Sequence, residues 1–598
     1  MFPHPSIYKA LLSACIAALA ASQSIRAQEM DKMWDDRELV SKTSQRHGRF
    51  FDSGNYAMFV HWGLYSHIEN KWQGKNYYGI SEWIMNKSMA NIPVDQYKAI
   101  AKEFNPSKFD AKKMARLAKD AGMKYIIITS KHHDGFAMYH SKVNAFNIVD
   151  ASPFKRDPMK ELSEACKELG LGFGFYYSHN QDWTFPGGNN GPKTDEHGKE
   201  QSFHDYFIKK CLPQVDEITK NYGDIELVWF DTPGGMPRKY AKQLTDLVHK
   251  NQPHSLVSGR VGYGLGDYRT LGDMEVPLQN VQGLWEGVDV TNDSWGYAWY
   301  DTNWKAPSKI LSNLIATVAR GGTYMLNVGP DPSGEVPAAA QAALRGTGEW
   351  IAAYPQTIYS AKPSPWKHPL PWGDVVVNNE KLYLIVFRWP STGKLHLPGL
   401  KAKIVSAKLL SREKTEKKLE TAVDGEWTVI STPLQKPDKL AAVIEITTLP
   451  NGSVNNTHAV DPEFGLQLPA LFAKTEKCRV SKRKWMEKFG EWKHVHQIDG
   501  WNEKSTARWD FQIPKSGLYF VEISCSVHTP EPRRIFRVTS DEGRFIQNQQ
   551  NYSTIYNTRP IGWIHFEKSG LRGLELSIPE GERSATSIKE ITLTQGDF

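Results

Sequence analysis

Several separate apolar segments of this chain end in polar side chains, and that pattern limits the folds it can adopt. The clearest segment is 125–130, which is followed closely by His132 and His133. It is β-branched and apolar without alternation, which is typical of a strand buried on both faces. Similar segments end at His61 and Asp231. This arrangement predicts a site assembled at the carboxyl ends of parallel strands.

Strands of this kind alternate with amphipathic helical segments between about residues 50 and 350. The predicted strands are 56–60, 125–130, 172–177, 225–230, 255–259, 284–290 and 324–328. The predicted helices are 95–104, 110–121, 157–170, 203–221, 238–250, 307–319 and 337–350. Repeated strand–helix units of this size favour a TIM-like (β/α)8 barrel. We expect it to be irregular, because 261–283 carries no clear helix.

A chain of 598 residues is too long for one hydrophobic core, so we expect several domains. The barrel is expected at 28–360, after a signal peptide at 1–27. From 361 the pattern changes to period-two strands, which predict β-sandwich domains. We place these at 361–450 and 470–598, joined by a linker at 451–469. For the second sandwich we consider both packing and carbohydrate binding.

The N-terminus has the features of a secretory signal, with Lys9 preceding the apolar stretch 10–21. That stretch is shorter than the ~20 residues that span a bilayer. We therefore expect cleavage, a secreted or periplasmic protein, and no membrane span. Residues 12–15 resemble a lipoprotein box, but they lie in the middle of the apolar stretch, so lipid anchoring is the less favoured alternative.

Charge and cysteine content exclude some classes of partner and cofactor. The formal net charge of +7 is mild and dispersed, which argues against a nucleic-acid partner. The cysteines after the signal segment show no metal-ligand spacing, so we expect no metal or other cofactor. Cys166 and Cys211 lie in helical patterns and are expected to be free buried thiols. A Cys478–Cys525 disulfide stays open, as does the oligomeric state.

Asp231 is the strongest candidate for a chemical role. Retaining glycoside hydrolysis needs an ionised carboxylate nucleophile and a protonated carboxyl group about 5–5.5 Å away. Alone, Asp231 is explained more simply as a cap of the turn 232–235. The polar groups at the other strand ends favour the catalytic interpretation. A content of 20 Trp, 24 Tyr and 25 Phe also suits a protein whose rings stack on sugars.

Several motifs along residues 45–350 resemble, in the same order, those of the α-L-fucosidase family of glycoside hydrolases (family 29). The matching segments are 58–66, 81–83, 131–136, 227–231, 294–297 and 326–330. The resemblance implies a (β/α)8-like barrel with a C-terminal β-sandwich. It also implies retaining hydrolysis of terminal α-L-fucosides, with a fucosylated glycan or oligosaccharide as the substrate.

The same resemblance assigns roles to individual residues. It makes Asp231 the nucleophile and surrounds the sugar with His61, Glu82, Trp83, His132, His133, Tyr177, Trp229, Arg260 and Trp295. Histidine, tyrosine and glutamate supply donors and acceptors for sugar hydroxyls. Tryptophan supplies an apolar contact for a 6-deoxy carbon. Each residue alone has a structural explanation, but their joint occurrence at strand ends favours a site.

The second carboxyl group is where this chain departs from the family pattern. Many members carry aromatic-x-Thr-x-Glu after the arginine, and here Gly272 occupies the glutamate position. We favour Glu275 as the acid/base, because its segment follows strand 255–259 on the site face. Glu286, low in the predicted strand 284–290, and Asp273 stay as alternatives. The acid must have a raised pKa, which needs an apolar pocket or a neighbouring carboxylate.

Two other functions stay open. An α-L-galactosidase would use the same mechanism, because L-galactose differs from L-fucose only by a hydroxyl on C6. A carbohydrate-binding protein that has lost catalysis is suggested by Gly272. The presence of Asp231 and the paired histidines argues against that second alternative.

Overall fold

The computed structural model describes residues 51–449, 453–485, 492–527, 534–550 and 553–596. The predicted signal peptide lies outside the described residues, as do positions 28–50 of the predicted barrel. None of the described helices is long and apolar enough to cross a membrane. The chain divides into two compact units. The first holds the described residues up to Leu271, with Gln282–Lys305 and Gly322–Gly348, and the second holds Gly272–Val281, Ala306–Gly321 and the described residues from Glu349 onward.

Eight strands of the first unit form one parallel sheet. They are β1 (Tyr56–Val60), β2 (Tyr125–Lys131), β3 (Gly172–Tyr177), β4 (Leu227–Phe230), β5 (Leu256–Val257), β6 (Arg269–Thr270), β7 (Trp285–Val290) and β8 (Thr323–Val328). Their order is β5-β4-β3-β2-β1-β8-β7-β6, and a parallel bridge between Ser258 and Tyr268 joins the two ends. The predicted TIM-like barrel is confirmed, and its irregular part contains the two-residue strands β5 and β6.

Helices accompany these strands along the chain. They are α1 (Phe51–Gly54), α2 (Leu64–Ile68), α3 (Val94–Ile100), α4 (Ala111–Asp120), α5 (Ile148–Ala151), α6 (Pro158–Leu169), α7 (Phe203–Tyr206), α8 (Leu212–Lys220), α9 (Arg238–Asn251), α10 (Pro307–Ala319) and α11 (Ala338–Ala353). A π-helical segment, Phe207–Cys211, lies between α7 and α8. Asp110 caps α4 as its sequence predicts, because its carboxylate accepts the N–H of Lys113 at 3.0 Å.

Burial on both faces explains why the barrel strands lack alternation. All residues of β1 to β5, β7 and β8 are buried. Rings from three strands meet inside the barrel, where Trp229 lies 5.0 Å from Phe59 and 5.5 Å from Tyr176. At Gly174 a Cβ would come 2.4 Å from the Leu227 carbonyl oxygen, so glycine permits the close approach of β3 and β4.

From residue 373 onward the second unit is all-β. Its strands are β9 (Gly373–Asn378), β10 (Lys381–Val386), β11 (Lys394–Pro398), β12 (Leu400–Lys401), β13 (Ile404–Leu410), β14 (Glu416–Lys418), β15 (Thr421–Asp424), β16 (Trp427–Ser431), β17 (Ala442–Thr448), β18 (Ser453–Val454), β19 (Leu466–Pro469), β20 (Lys474–Glu476), β21 (Arg479–Trp485), β22 (Lys493–Asp499), β23 (Thr506–Ile513), β24 (Gly517–Val527), β25 (Arg534–Ser540), β26 (Phe545–Gln550), β27 (Ser553–Phe566), β28 (Gly570–Glu580) and β29 (Thr586–Gln595).

These strands form antiparallel sheets around two hydrophobic cores. The first core belongs to β9-β10-β17-β13-β14 and β11-β16-β15 and includes Trp372 and Ile444. The second belongs to β21-β22-β29-β24-β27 and β20-β23-β28-β25-β26 and includes Trp509 and Ile591. The predicted β domains are therefore confirmed. Part of the predicted linker is paired, since β18 joins β12 and β19 joins β29. The exact domain limits and a carbohydrate-binding role for 470–598 stay predictions.

The described cysteines are free thiols. Cys166 and Cys211 are buried as predicted, and burial raises the pKa of each thiol to about 12. Cys478 and Cys525 are not joined, so the disulfide that the sequence left open is not formed. Within the described ranges, no three His, Cys, Asp or Glu side chains are grouped as a metal site requires.

Candidate active site

Asp231 lies directly after β4 and accepts hydrogen bonds from two side chains. Tyr176 on β3 donates its hydroxyl to Oδ2 at 3.0 Å, and Arg260 donates from Nη1 to Oδ1 at 3.2 Å. Nε2 of His133 lies 3.8 Å from Oδ2. The side chain of Asp231 is 12% exposed, so the protein encloses most of the carboxylate while leaving part of it accessible. This arrangement orients both carboxylate oxygens.

The bend after Asp231 is unusual and is held from outside. Thr232 has a φ of 47°, in the left-handed region that β-branched residues rarely adopt. Such a conformation costs about 1–3 kcal/mol and persists where the surroundings fix it. Asn180 donates to the Thr232 carbonyl at 3.2 Å, and Gln181 donates to its hydroxyl at 3.0 Å. The loop after β3 therefore fixes the turn that follows Asp231.

Three histidines come together beside Asp231, as the strand-end pattern predicts. His61 follows β1 and its Nδ1 lies 2.7 Å from Oδ1 of Asn327. The ring of His132 lies 5.6 Å from that of His61 and 4.2 Å from that of His133. Nδ1 of His132 has no hydrogen-bond partner among the described residues. These rings offer polar atoms to a ligand from two different strand ends.

Burial keeps the three imidazoles neutral at physiological pH. It lowers the pKa of His61 to about 4 and that of His132 well below its usual range. Burial, with the Lys131 charge, lowers the pKa of His133 to about 3. A neutral imidazole has one N–H donor and one acceptor nitrogen, and which nitrogen carries the proton depends on the partner of the other. Such groups match sugar hydroxyls, which both donate and accept.

Glu82 and Trp295 are connected through the backbone of Gly296. Glu82 is buried and accepts the backbone N–H of Gly296 at 3.0 Å. A Cβ at Gly296 would come 2.4 Å from Oγ of Ser81, so this backbone approaches the Ser81–Trp83 turn closely. The Trp295 ring lies 5.1 Å from the ring of His61. The structure thus brings Trp295 to the histidine group, and Glu82 to the backbone next to Trp295.

Trp83 packs in a group of aromatic rings that includes one residue the sequence did not indicate. Its ring lies edge-on to His133 at 5.7 Å and to Trp183 at 5.5 Å. Trp183 in turn lies 5.4 Å from the His133 ring. It follows no apolar strand directly and matches no quoted motif, so the sequence carried no signal for it. Together these rings supply an apolar surface beside Asp231.

Tyr177 does not face this site. Its hydroxyl donates to Oε1 of Gln214 at 2.9 Å, and Nζ of Lys131 lies 4.8 Å from its ring centre. Successive side chains of a strand point to opposite faces, so the neighbouring Tyr176 faces Asp231 instead. The structure therefore brings Tyr176 to Asp231 and does not bring the predicted Tyr177 there. A strand buried on both faces shows no alternation from which to choose the facing residue.

Trp229 lies between Arg260 and Glu286, one of the three candidate acids. The guanidinium carbon of Arg260 lies 4.7 Å from the Trp229 ring centre. Nε1 of Trp229 donates to Oε1 of Glu286 at 2.7 Å. Glu286 is the second residue of β7 and is fully buried, and burial raises its pKa to about 8. Glu286 therefore carries a proton near neutral pH.

The other two candidate acids belong to the second unit. Oε2 of Glu275 lies 3.1 Å from Nδ1 of His494 and accepts that residue's backbone N–H at 3.2 Å. Burial opposes ionisation of Glu275, yet the His494 hydrogen bonds outweigh it and lower its pKa. Asp273 is buried and follows Leu271 by two residues; the Leu271 carbonyl accepts Nη2–H of Arg260 at 3.0 Å.

Comparisons with known proteins point in one direction. The family model described as α-L-fucosidase matches residues 18–356. Human plasma α-L-fucosidase is 27% identical over 405 residues, which cover 63% of this chain and 82% of that protein. The α-L-fucosidase of Vibrio sp. strain EJY3 matches with a TM-score of 0.74 and 29% identity, covering 91% of this chain and 97% of that one. The α-L-fucosidase isoenzyme 1 from Paenibacillus thiaminolyticus matches with a TM-score of 0.60 and 28% identity, covering 69% of this chain and 100% of that one.

Proposed function

The chain belongs to the α-L-fucosidase family and is a glycoside hydrolase of the fucosidase type, and on that premise we propose that it releases terminal α-L-fucose from glycans or oligosaccharides with retention of configuration. The observation that carries this proposal is the setting of Asp231. Its two oxygens accept hydrogen bonds from Tyr176 and Arg260, and the neutral histidines adjoin it.

The proposed reaction has two steps. Asp231 attacks the anomeric carbon while a general acid protonates the leaving oxygen, which forms a covalent fucosyl-enzyme. The residue that served as the general acid then acts as a base and activates the water that releases fucose. His61, His132 and His133 hold the sugar hydroxyls, and Trp83 contacts the C6 methyl group.

The acid/base must carry a proton in the first step, and the candidates differ in this respect. A general acid needs a pKa near the working pH, which the raised pKa of Glu286 supplies and the lowered pKa of Glu275 does not. Oε2 of Glu286 has no hydrogen-bond partner among the described residues. Glu286 is nevertheless the second residue of β7, toward the amino-terminal end of that strand, whereas Asp231 follows the carboxyl end of β4. Glu286 and Glu275 therefore both stay candidates. Asp273 stays as the alternative, because its chain segment starts at the Leu271 carbonyl that Arg260 binds.

Three alanine variants, at Glu286, Asp273 and Glu275, separate these assignments. The acid/base variant is expected to keep activity on fucosides with good leaving groups, to lose it on poor ones, and to form α-L-fucosyl azide when azide is added. Asp231→Ala is expected to form the β-azide instead. A Glu286→Ala variant with equal losses on all leaving groups and no azide product would exclude Glu286.

The nucleophile is tested by trapping. A 2-fluoro-fucosyl fluoride should inactivate the enzyme, and peptide mapping should place the label on Asp231. A label on another carboxylate would contradict the assignment. Paired nitrophenyl L-fucoside and L-galactoside measure which sugar is preferred, and faster turnover of the galactoside would change the substrate. Fucose binding without turnover at any pH would indicate a protein that has lost catalysis.

We also propose that the protein is exported, on the basis of Lys9 and the apolar stretch 10–21. The expected mature N-terminus lies after residue 27, and activity should appear in the periplasmic or secreted fraction. N-terminal sequencing of the protein purified from its natural source measures this directly. Recovery with the membrane fraction and a blocked N-terminus at Cys15 would favour lipid anchoring instead.

A further inference from the structure

Two buried lysines share one buried carboxylate next to the histidine pair. Nζ of Lys131 lies 3.1 Å from Oδ2 of Asp182, and Nζ of Lys210 lies 2.8 Å from the same oxygen. The three side chains are at most 1% exposed. Two cations against one anion leave a net positive charge in a place that water does not reach, which is costly unless other groups stabilise it. The proposed mechanism uses none of the three.

Other polar groups complete the cluster and connect three parts of the chain. Lys131, the last residue of β2, also donates to the Tyr206 hydroxyl and to the Gln181 carbonyl, at 3.1 and 3.2 Å. Lys210 lies in the π-helical segment and donates to the Gly135 carbonyl at 2.9 Å. Burial disfavours the ionised form of Asp182, but the two lysines outweigh it and lower its pKa to about 2. Asp182 is therefore ionised at neutral pH, and burial lowers the pKa of Lys210 to about 8.

Asp182 passes this anchoring on to the site. Its Oδ1 accepts the N–H of Phe185 at 2.9 Å, which closes a turn around Trp183. The Trp183 N–H donates to the His133 carbonyl at 2.8 Å, and the two rings pack at 5.4 Å. A Cβ at Gly135, where φ is 79°, would come 2.2 Å from Oδ1 of Asp182. The Asp182 turn therefore holds Trp183 against His133.

The residue before Asp182 reaches the other side of the site. Gln181 donates from Nε2 to the hydroxyl of Thr232, and its Oε1 accepts Nε1–H of Trp183 at 2.9 Å. Thr232 is the left-handed residue that follows Asp231. A displacement of the turn at Asp182 would therefore reach both the His133 wall and the backbone of the nucleophile.

We propose that Lys131, Asp182 and Lys210 act together as positioning residues for fucoside hydrolysis, with Lys210 setting the place of the Asp182 turn from outside the barrel strands. This inference rests on the proposed function. Lys210 itself contacts Asp182, the Gly135 carbonyl and the Phe185 ring, at 5.1 Å for the ring. Its effect on the reaction must therefore pass through these contacts, of which Asp182 is the one with charge.

The test is Lys210→Met, compared with Lys209→Met. Lys209 is the preceding residue of the same segment, but it pairs with Asp205 at the surface and is 48% exposed. Active sites are titrated with the 2-fluoro-fucosyl fluoride, and kcat and KM are reported per titrated site. Lys210→Met is expected to lower kcat/KM by about 10- to 100-fold, because displacements of ~1 Å cost up to ~10²-fold. Lys209→Met is expected to change it less than twofold.

A purely structural role gives a different result. It would lower the melting temperature and the fraction of titratable sites, while kcat and KM per site stayed unchanged, and that outcome overturns the proposal. Lys210→Met leaves the Lys131–Asp182 ion pair intact, so the variant should fold. Turnover by the unaltered chain tests the proposed function, whereas the ratio between variant and unaltered chain tests the cluster, so each can fail separately.

A second set of variants tests whether the cluster acts as a unit. Asp182→Asn leaves two buried cations facing each other, and adding Lys210→Met removes one of them. The double variant is therefore expected to be at least as active per site as Asp182→Asn alone, since residues in one network are not additive. If the losses of the two single variants add, the three residues do not form one positioning cluster.

Discussion

Replacing Tyr176 with phenylalanine tests the geometry around Asp231 most directly. The change removes only the hydroxyl that donates to Oδ2 at 3.0 Å. The ring that stacks on His132 at 5.1 Å and on Trp229 at 5.5 Å is kept. Any loss of activity therefore reports on one hydrogen bond and not on packing.

The size of the effect follows from the charge of the acceptor. A hydrogen bond to a charged group contributes about 1.5–3 kcal/mol. At ~1.36 kcal/mol per tenfold in rate, that range corresponds to roughly 10- to 150-fold. Because the carboxylate gives up charge as it bonds to the anomeric carbon, the donor acts mainly by orienting Oδ2. We therefore expect the lower end of the range in kcat/KM, about tenfold.

The neighbouring residue provides a matched control. Tyr177→Phe removes a hydroxyl from the opposite face of the same strand and leaves Oε1 of Gln214 without that donor. A buried acceptor left unpaired costs about 1–3 kcal/mol of stability, so the melting temperature should fall by several degrees with kcat/KM per titrated site unchanged. Initial rates on nitrophenyl fucoside and differential scanning calorimetry measure the two effects. Equal kinetic losses in the two variants, or more than half of the activity retained in Tyr176→Phe, would refute the reasoning.

Three further predictions concern stability and the site. Since burial lowers the pKa of His61 from 6.5 to about 4, its stabilising contribution is complete above pH 6.5 and is lost as the pH falls toward 4, by about 3 kcal/mol; melting temperatures over that range should fall. Gly296→Ala should raise the KM for fucosides and destabilise the fold by about 1–3 kcal/mol in urea denaturation, because its Cβ would meet Ser81; an unchanged KM would contradict this. Arg260→Lys should reduce kcat/KM at least tenfold, because a lysine ammonium cannot bind Asp231 and also keep the guanidinium's hydrogen bond to the Leu271 carbonyl. Full activity of this variant would show that charge alone suffices.

The barrel could be predicted from the sequence because its strands are continuous apolar segments. The strand predicted at 56–60 coincides with β1, and 172–177 coincides with β3. The strand β6 was missed, since two residues give no periodicity to detect. The helix predicted at 203–221 is present but is interrupted by a π-helical segment at Phe207–Cys211. The interruption was not predicted, because a π-helical turn leaves the amphipathic pattern almost unchanged.

The candidate site was predictable where a strand ends and less so elsewhere. Asp231, His61 and His133 immediately follow or closely follow apolar segments, so chain position alone places them at one edge of the sheet. The choice between Tyr176 and Tyr177 depended on which face of a doubly buried strand each side chain occupies. The electrostatic difference between Glu275 and Glu286 comes from their surroundings, which spacing along the chain does not encode.

The way in which the barrel closes between β5 and β6 affects both local opening and the tolerance of inserted residues. There the ring of backbone hydrogen bonds thins to two-residue strands and the Ser258–Tyr268 bridge. Amides at this seam should exchange with solvent through smaller openings than those of the long strands opposite. Residues inserted there would disturb few hydrogen bonds of the sheet. The segment between Arg260 and β7 can therefore vary in length while the other strands keep their register.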